Sequence, residues 1–207
     1  MKVSVSILNE KDDYISAVNK LNNTSADYLH LDIMDGSFTE NTSFSFAQSK
    51  EIVDISNKLL DVHIMSSKLD IILDYYISLN PEIITIHSEV DNIDKYINKI
   101  RENNIKVGLA LNPETDIEKI TTYLNKIDIV LIMGVTPGKG GQSLKKESVS
   151  KLKELKRMQK KYKFIIEVDG GINNETIKCV KDYVDLVVSG SYITNFEDYQ
   201  IGLNNLI

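Results

Sequence analysis

The stretch YLHLDIM at residues 28–34 decides the fold, because it is an apolar run of strand length that carries His30 and Asp32 on one face. Seven more such runs lie along the 207 residues, and longer amphipathic segments separate them. Their Ile, Val and Leu content predicts strands, and the i, i+3, i+4 spacing in the segments between them predicts helices. The eight runs are VSVSIL (3–8), YLHLDIM (28–34), LLDVHIM (59–65), EIITIH (82–87), KVGLAL (106–111), DIVLIM (128–133), KFIIEV (163–168) and DLVVSG (185–190).

Eight alternating strand and helix units predict a parallel sheet with helical crossovers. Eight is also the count that closes a (β/α)8 TIM barrel, so we expect one catalytic domain of this α/β class over residues 1–207. A doubly wound open sheet is the alternative, but the turn after the first run, LNEKDD (8–13), lacks the glycines of a nucleotide loop. Thr115 with Glu118 predicts a capping box that opens the fifth helix.

The composition narrows the class of protein. With 42% hydrophobic and 26% charged residues, the chain has the composition of an ordinary soluble globular protein. A net charge of -6 argues against a nucleic-acid partner, and no apolar run is long enough for a membrane span. The single cysteine, Cys179, excludes an internal disulfide and a CxxC metal motif. We expect a cytoplasmic protein with neither a nucleic acid nor a membrane as partner.

Charged residues occupy alternate positions near the ends of three predicted strands, so those within one strand share a face. Because barrel enzymes keep their active sites at the carboxyl ends of the strands, we expect these groups to meet there. Burying several ionisable groups costs several kcal/mol each unless they are paired or bound to a metal. The sets that share a face are His30, Asp32 and Met34; Asp61, His63 and Met65; and Glu167 and Asp169.

Two imidazoles and two carboxylates of these sets are plausible ligands of one divalent metal ion. They are His30, Asp32, His63 and Asp169. Mixed nitrogen and oxygen donors favour Zn, Fe(II), Mn or Co over Ca or Mg. His87, at the end of the fourth run, is either a neighbour of this site or a hydrogen-bonded core residue.

Three predicted strands lead into loops that contain glycine: GVTPGKGGQ (134–142), DGG (169–171) and SGS (189–191). Glycine allows backbone N–H groups to approach an anion closely, and the loops after strands seven and eight are the usual phosphate site of this barrel. The sequence therefore predicts a phosphate site. The methionines that end strands two, three and six predict an apolar wall beside the metal; they are Met34, Met65 and Met133.

Six motifs, in order and at matching spacing, resemble those of ribulose-phosphate 3-epimerases. They are LHLDIMDGSF (29–38), DVHIM (61–65), GLALNPET (108–115), LIMGVTPGKGGQ (131–142), IEVDGG (166–171) and VSGS (188–191). The resemblance implies a barrel of the ribulose-phosphate-binding type that interconverts D-ribulose 5-phosphate and D-xylulose 5-phosphate in the pentose phosphate pathway. It also implies one divalent metal ion per subunit, a ketose phosphate as substrate and a homo-oligomer.

The resemblance carries roles over to individual positions. It implies that His30, Asp32, His63 and Asp169 bind the metal and that Asp32 and Asp169 are also the acid and base. It implies that the three methionines line a planar intermediate. Positions that match substrate or phosphate contacts are Ser6, His63, Gly138, Lys139, Gly140, Gly141, Gly170, Gly171, Gly190 and Ser191.

Other functions remain open at this point. A D-allulose-6-phosphate 3-epimerase would share the motifs and the chemistry. Orotidine-phosphate decarboxylase and hexulose-phosphate synthase share the barrel, but Met34 stands where their Asp-x-Lys-x-x-Asp signature requires lysine. A non-catalytic sugar-phosphate-binding barrel is the alternative of another class. The segment SFTENTSF (37–44) is the candidate for a loop that closes over the site.

Overall fold

Eight parallel strands form one closed barrel in a computed structural model that describes residues 1–138 and 140–207. Each strand pairs with the strands before and after it in the chain, and β1 pairs with β8. The predicted barrel is confirmed, and the open sheet is excluded. The strands are β1 (Lys2–Ser6), β2 (Tyr28–Met34), β3 (Leu59–Met65), β4 (Ile83–His87), β5 (Lys106–Leu111), β6 (Ile129–Met133), β7 (Ile165–Asp169) and β8 (Leu186–Ser189).

Helices surround the barrel and bury their apolar stripes against it. In α4, for example, Ile93, Tyr96, Ile97 and Ile100 are buried, which is the i, i+3, i+4, i+7 pattern of an amphipathic helix. No helix in the described part of the chain is long and apolar enough to span a membrane. The helices are α1 (Tyr14–Asn22), α2 (Phe46–Ile55), α3 (Leu69–Ile77), α4 (Ile93–Glu102), α5 (Lys146–Met158), α6 (Ile177–Val180), α7 (Ser191–Thr194) and α8 (Tyr199–Leu206).

The connection after β5 differs from the prediction. It forms a 3-10 helix, Ile117–Tyr123, and no side chain caps its start at Asp116. The capping box predicted for Thr115 and Glu118 is therefore wrong. The Thr115 hydroxyl instead donates to the carboxylate of Glu89, which lies on the loop after β4. Thr115 therefore pairs with a residue that is distant in the sequence and not with Glu118.

The interior of the barrel changes from apolar to polar along its axis. Near the amino-terminal ends of the strands, alternate strands contribute Tyr28, Ile83, Ile129 and Leu186 to one apolar cluster, which is the layered packing expected of this barrel. Closer to the carboxyl ends, the inward-facing residues include the buried Ser4, Asp61 and Glu167. The predicted site residues lie beyond this polar layer.

Candidate active site

The four predicted metal ligands meet at the carboxyl end of the barrel. One ligand atom from each of His30, Asp32, His63 and Asp169 can be chosen so that all lie within 4.8 Å of one another. His30 Nε2 is 3.5 Å from Asp32 Oδ1, and His63 Nδ1 is 3.4 Å from the same oxygen and 3.6 Å from Asp169 Oδ2. We call this set the metal pocket.

Both imidazoles of the metal pocket aim a buried nitrogen at its centre. His30 Nε2 and His63 Nδ1 have no hydrogen-bond partner among the described residues. A buried polar atom without a partner is costly, and a metal ion between two such nitrogens and two carboxylates would satisfy them. The donor set therefore fits a divalent cation.

The charges of the metal pocket also favour a cation. Burial lowers the pKa of His30, but the carboxylates of Asp61 and Asp32 outweigh burial and raise it well above its ordinary value. Burial likewise opposes protonation of His63, yet Asp169 and Asp32 raise its pKa. Burial raises the pKa of Asp32, but His30 and His63 outweigh burial and lower that pKa below its ordinary value. The carboxylates thus attract positive charge into the pocket, which is the field that a divalent ion needs.

His30 is held from behind by a buried carboxylate. Its Nδ1 is 2.7 Å from Asp61 Oδ2, which also accepts a hydrogen bond from Ser4 Oγ at 2.7 Å. Burial and the neighbouring Asp61 raise the pKa of Glu167, the deeper carboxyl group, well above its ordinary value. The sequence placed Asp61 and Glu167 on the inward face but gave them no role. A carboxylate behind an imidazole fixes its orientation and raises its basicity as a ligand.

His63 is held from behind by His87. The two Nε2 atoms are 2.9 Å apart, and the rings stack at 5.1 Å between centroids. Burial lowers the pKa of His87 to about 4, so this ring is neutral at pH 7. The sequence left His87 either near the site or in the core, and the structure places it against the metal pocket.

A cavity of about 280 Å³ opens beside the metal pocket. Asp32 and Asp169 both line it, and Ser6 Oγ donates to Asp32 Oδ2 at 2.7 Å. Met34 is buried opposite Met65 in the pairing of β2 with β3 and is not among the lining residues. Of the residues predicted to contact substrate, those that line the cavity are Ser6, Met65, Met133, Gly138, Gly140, Gly141, Gly170, Gly171, Gly190 and Ser191. Lys139 lies outside the described residues.

The loops after β6 and β7 need glycine where they touch. Gly171 has a φ of +72°, and a Cβ there would lie 2.5 Å from the backbone nitrogen of Leu144. Any larger residue would strain the turn and push the two loops apart. The close approach brings the backbone of both loops to the same wall of the cavity.

Three asparagines that line the cavity were missed by the sequence reasoning: Asn9, Asn173 and Asn195. Asn9 follows β1 by three residues, and a Cβ on Gly140 would lie 2.7 Å from its Oδ1. The patterns that predict the site are strand ends and glycine loops, whereas these amides lie several residues beyond a strand. The signal for Asn9 and Asn173 is their place in the segments that follow β1 and β7.

The segment 37–44 lies against the β6–α5 loop. Asn41 Nδ2 donates to the carbonyl oxygen of Gly138 at 2.8 Å, and the ring centroid of Phe38 is 4.4 Å from that of His87. The segment therefore touches both a cavity-lining loop and the ring behind His63. Its movement over the site stays a prediction.

Solved structures with similar folds agree with the barrel. KGPDC from Streptococcus mutans has a TM-score of 0.72 at 13% identity, and the match covers 99% of this chain and 94% of that chain. Phosphoribosyl anthranilate isomerase from Thermococcus kodakaraensis has a TM-score of 0.66 at 15% identity, with 99% and 96% covered. At these identities the likeness shows the fold alone.

Sequence relatives identify the family. The model of the ribulose-phosphate 3 epimerase family matches residues 2–194. A ribulose-phosphate 3-epimerase of Helicobacter pylori strain J99 is 34% identical over 211 residues, covering 100% of this chain and 96% of the relative. That of Bacillus subtilis strain 168 is 31% identical over 214 residues, covering 100% and 98%. The chain therefore belongs to the ribulose-phosphate 3-epimerase family.

Proposed function

We propose that the protein is an isomerase that interconverts D-ribulose 5-phosphate and D-xylulose 5-phosphate by epimerisation at C3. The observation that carries the proposal is the pair Asp32 and Asp169, two carboxylates that line one cavity beside a pocket fit for a divalent ion. Relatives that match the whole chain carry the name of this activity. From the family we also propose a homo-oligomer in the cytoplasm.

The chemistry requires a base and an acid on opposite faces of the sugar. The C3 proton is acidic because the C2 carbonyl can take up the charge, so its removal gives a planar enediolate. One aspartate takes the proton from one face, the other returns a proton to the opposite face, and the roles reverse for the back reaction. Asp32 and Asp169 are the proposed pair. The hydrogen bond from Ser6 to Asp32 Oδ2, 2.7 Å long, would orient the first carboxylate and place Ser6 beside the substrate.

The metal pocket would supply electrostatic stabilisation. His30, Asp32, His63 and Asp169 would hold a divalent ion there, and its charge would stabilise the negative charge that develops on the ketose oxygens. The donor set suits Zn, Fe(II), Mn or Co. His63, next to the cavity-lining Asp32 and Asp169, would also contact the substrate.

The glycine loops would bind the phosphate. They are the loops after β6, β7 and β8, and their glycines line the same cavity as the two aspartates. Backbone N–H groups of such loops bind a phosphate dianion and hold the sugar in register with the aspartates, so binding energy far from C3 orients the reacting carbon. Met65 and Met133 would form the apolar wall against the planar intermediate.

A coupled assay tests the proposal. Turnover of ribulose 5-phosphate is measured against that of allulose 6-phosphate, before chelation, after chelation and after return of Zn²⁺. We expect the pentulose phosphate to be the better substrate, chelation to lower turnover at least ~100-fold, and Zn²⁺ to restore it. Faster turnover of allulose 6-phosphate would change the substrate assigned. Tight binding of either sugar phosphate without turnover would make the protein a sugar-phosphate-binding barrel.

A further inference from the structure

We infer that His87 and Glu89 are positioning residues that fix the tautomer of His63, so that the lone pair of His63 Nδ1 faces the metal pocket. The inference rests on the proposed function, because it takes His63 as a metal ligand. It extends that function to two residues that do not face the pocket themselves.

The two ring nitrogens of His63 face different partners. Nδ1 faces Asp32 and Asp169, whereas Nε2 is 2.9 Å from Nε2 of His87. A nitrogen that binds metal carries no proton, and a neutral imidazole carries one N–H. A metal-binding His63 must therefore hold its proton on Nε2 and donate it to His87.

The hydrogen bond from His63 determines which nitrogen of His87 carries a proton. Its Nε2 must be bare to accept from His63, and an imidazole with one bare nitrogen carries its proton on the other, so the proton of His87 is on Nδ1. His87 Nδ1 is 3.1 Å from Glu89 Oε2, and an ionised carboxylate can only accept. The chain from His63 through His87 to Glu89 thus has one consistent arrangement of hydrogens.

Glu89 is itself fixed by a donor that cannot reverse, the backbone N–H of Asn112. Its Oε1 accepts from the backbone N–H of Asn112 at 3.0 Å and from the Thr115 hydroxyl. A backbone N–H has no acceptor form, so Oε1 must remain an acceptor. The ring of Phe38 covers His87 on one side. Oε1 is therefore committed to Asn112, and Oε2 is the carboxylate oxygen that accepts from His87 Nδ1.

The variant Glu89→Gln tests the inference at constant side-chain volume. Because Oε1 must still accept from Asn112, the new NH2 group faces His87 Nδ1 and donates to it. His87 then carries its proton on Nε2 and donates to His63, whose own proton moves to Nδ1 and blocks the metal pocket. We expect Zn²⁺ affinity to fall about 10- to 100-fold, which is the usual effect of losing a residue that orients a metal ligand.

The matched control is Glu114→Gln. Glu114 lies on the loop after β5, is exposed, and pairs with Lys145 at 2.6 Å. The variant removes the same charge close by without touching the hydrogen-bond chain, so its Zn²⁺ affinity should equal that of the wild type. An equal loss in both variants would overturn the inference, because it would make the effect one of net charge.

Long-range ¹H–¹⁵N spectra read the tautomers directly, since the chain has three histidines. In the wild type we expect His87 to carry its proton on Nδ1, and in Glu89→Gln on Nε2. A wild-type His87 protonated on Nε2, or a Glu89→Gln protein with unchanged tautomer and Zn²⁺ affinity, would overturn the inference. A wild type that binds no divalent ion would instead overturn the proposed function, so the two failures are distinguishable.

A second pair of variants covers the case in which Glu89→Gln fails to fold. The side-chain oxygen of His87→Gln can still accept from His63 Nε2, whereas His87→Leu offers no acceptor. We expect His87→Gln to retain more Zn²⁺ affinity than His87→Leu by about tenfold or more. Equal affinities in the two folded variants would contradict the role of His87.

Discussion

The mouth of the barrel has two halves that present different groups to the cavity. In the charged half, side chains from β2, β3 and β7 form the metal pocket. In the glycine half, the loops after β6, β7 and β8 present backbone groups. Carboxylates can bind a cation and move protons, whereas backbone N–H groups can only hold an anion in place. Damage to the charged half should therefore lower turnover, and damage to the glycine half should weaken substrate binding.

The largest effect is expected from the charged half. Asp169→Asn or Asp32→Asn should each lower kcat on ribulose 5-phosphate at least ~100-fold, because an amide cannot exchange the C3 proton. The measurement is initial rate against substrate concentration at saturating Zn²⁺. The variant Asp182→Asn, which changes the same group at an exposed position outside the cavity lining, should match the wild type. Near-normal kcat in either active-site variant would refute the two-carboxylate scheme.

An intermediate effect is expected behind the charged half, at Asp61. Asp61→Ala leaves the Nδ1–H of His30 without its acceptor, so Zn²⁺ affinity should fall about 10- to 100-fold. Asp61→Asn keeps an oxygen in reach of His30 and should lose less. Calorimetric titration with Zn²⁺ measures the affinity of the wild type, Asp61→Asn and Asp61→Ala, which we expect to decrease in that order. If Asp61→Ala folds and binds Zn²⁺ as tightly as the wild type, the orienting role of Asp61 is wrong.

The smallest effect is expected from the glycine half. A Cβ on Gly190 would lie 3.2 Å from the carbonyl oxygen of Ser6, so Gly190→Ala should displace the loop after β8 by a few tenths of an ångström. We expect KM to rise about tenfold, equivalent to about 1.4 kcal/mol of lost binding, with kcat and Zn²⁺ affinity little changed. A fall in kcat at constant KM would contradict the assignment of substrate binding to the glycine half and of turnover to the charged half.

The sequence predicted the charged half well because side-chain direction in a strand follows from position alone. The bounds of β2, β3 and β5 agree with the structure, and alternation placed His30, Asp32, His63 and Asp169 on inward faces. Because the strands of the closed barrel are parallel, the carboxyl end of β7 lies at the same end of the barrel as the carboxyl ends of β2 and β3. No detail of loop geometry was needed.

Contacts made by loops were predicted less well because they depend on the path of the chain in space. Thr115 fits a local capping pattern, yet its partner is Glu89, 26 residues away. Asn9 and Asn195 reach the cavity from segments beyond the strands. Met34 pairs with the cavity-lining Met65 across β2 and β3, yet it is not itself among the residues that line the cavity. Each case turns on tertiary contacts that a linear pattern does not contain.

Solvent deuterium incorporation at C3 tests the central claim most directly. Ribulose 5-phosphate is incubated with the protein in D2O, and the xylulose 5-phosphate formed is examined by NMR. If Asp32 and Asp169 exchange protons across a planar intermediate, the product carries one deuterium at C3, and its formation is at least ~100-fold slower in Asp169→Asn. Product formed at the normal rate without deuterium at C3 would contradict the account.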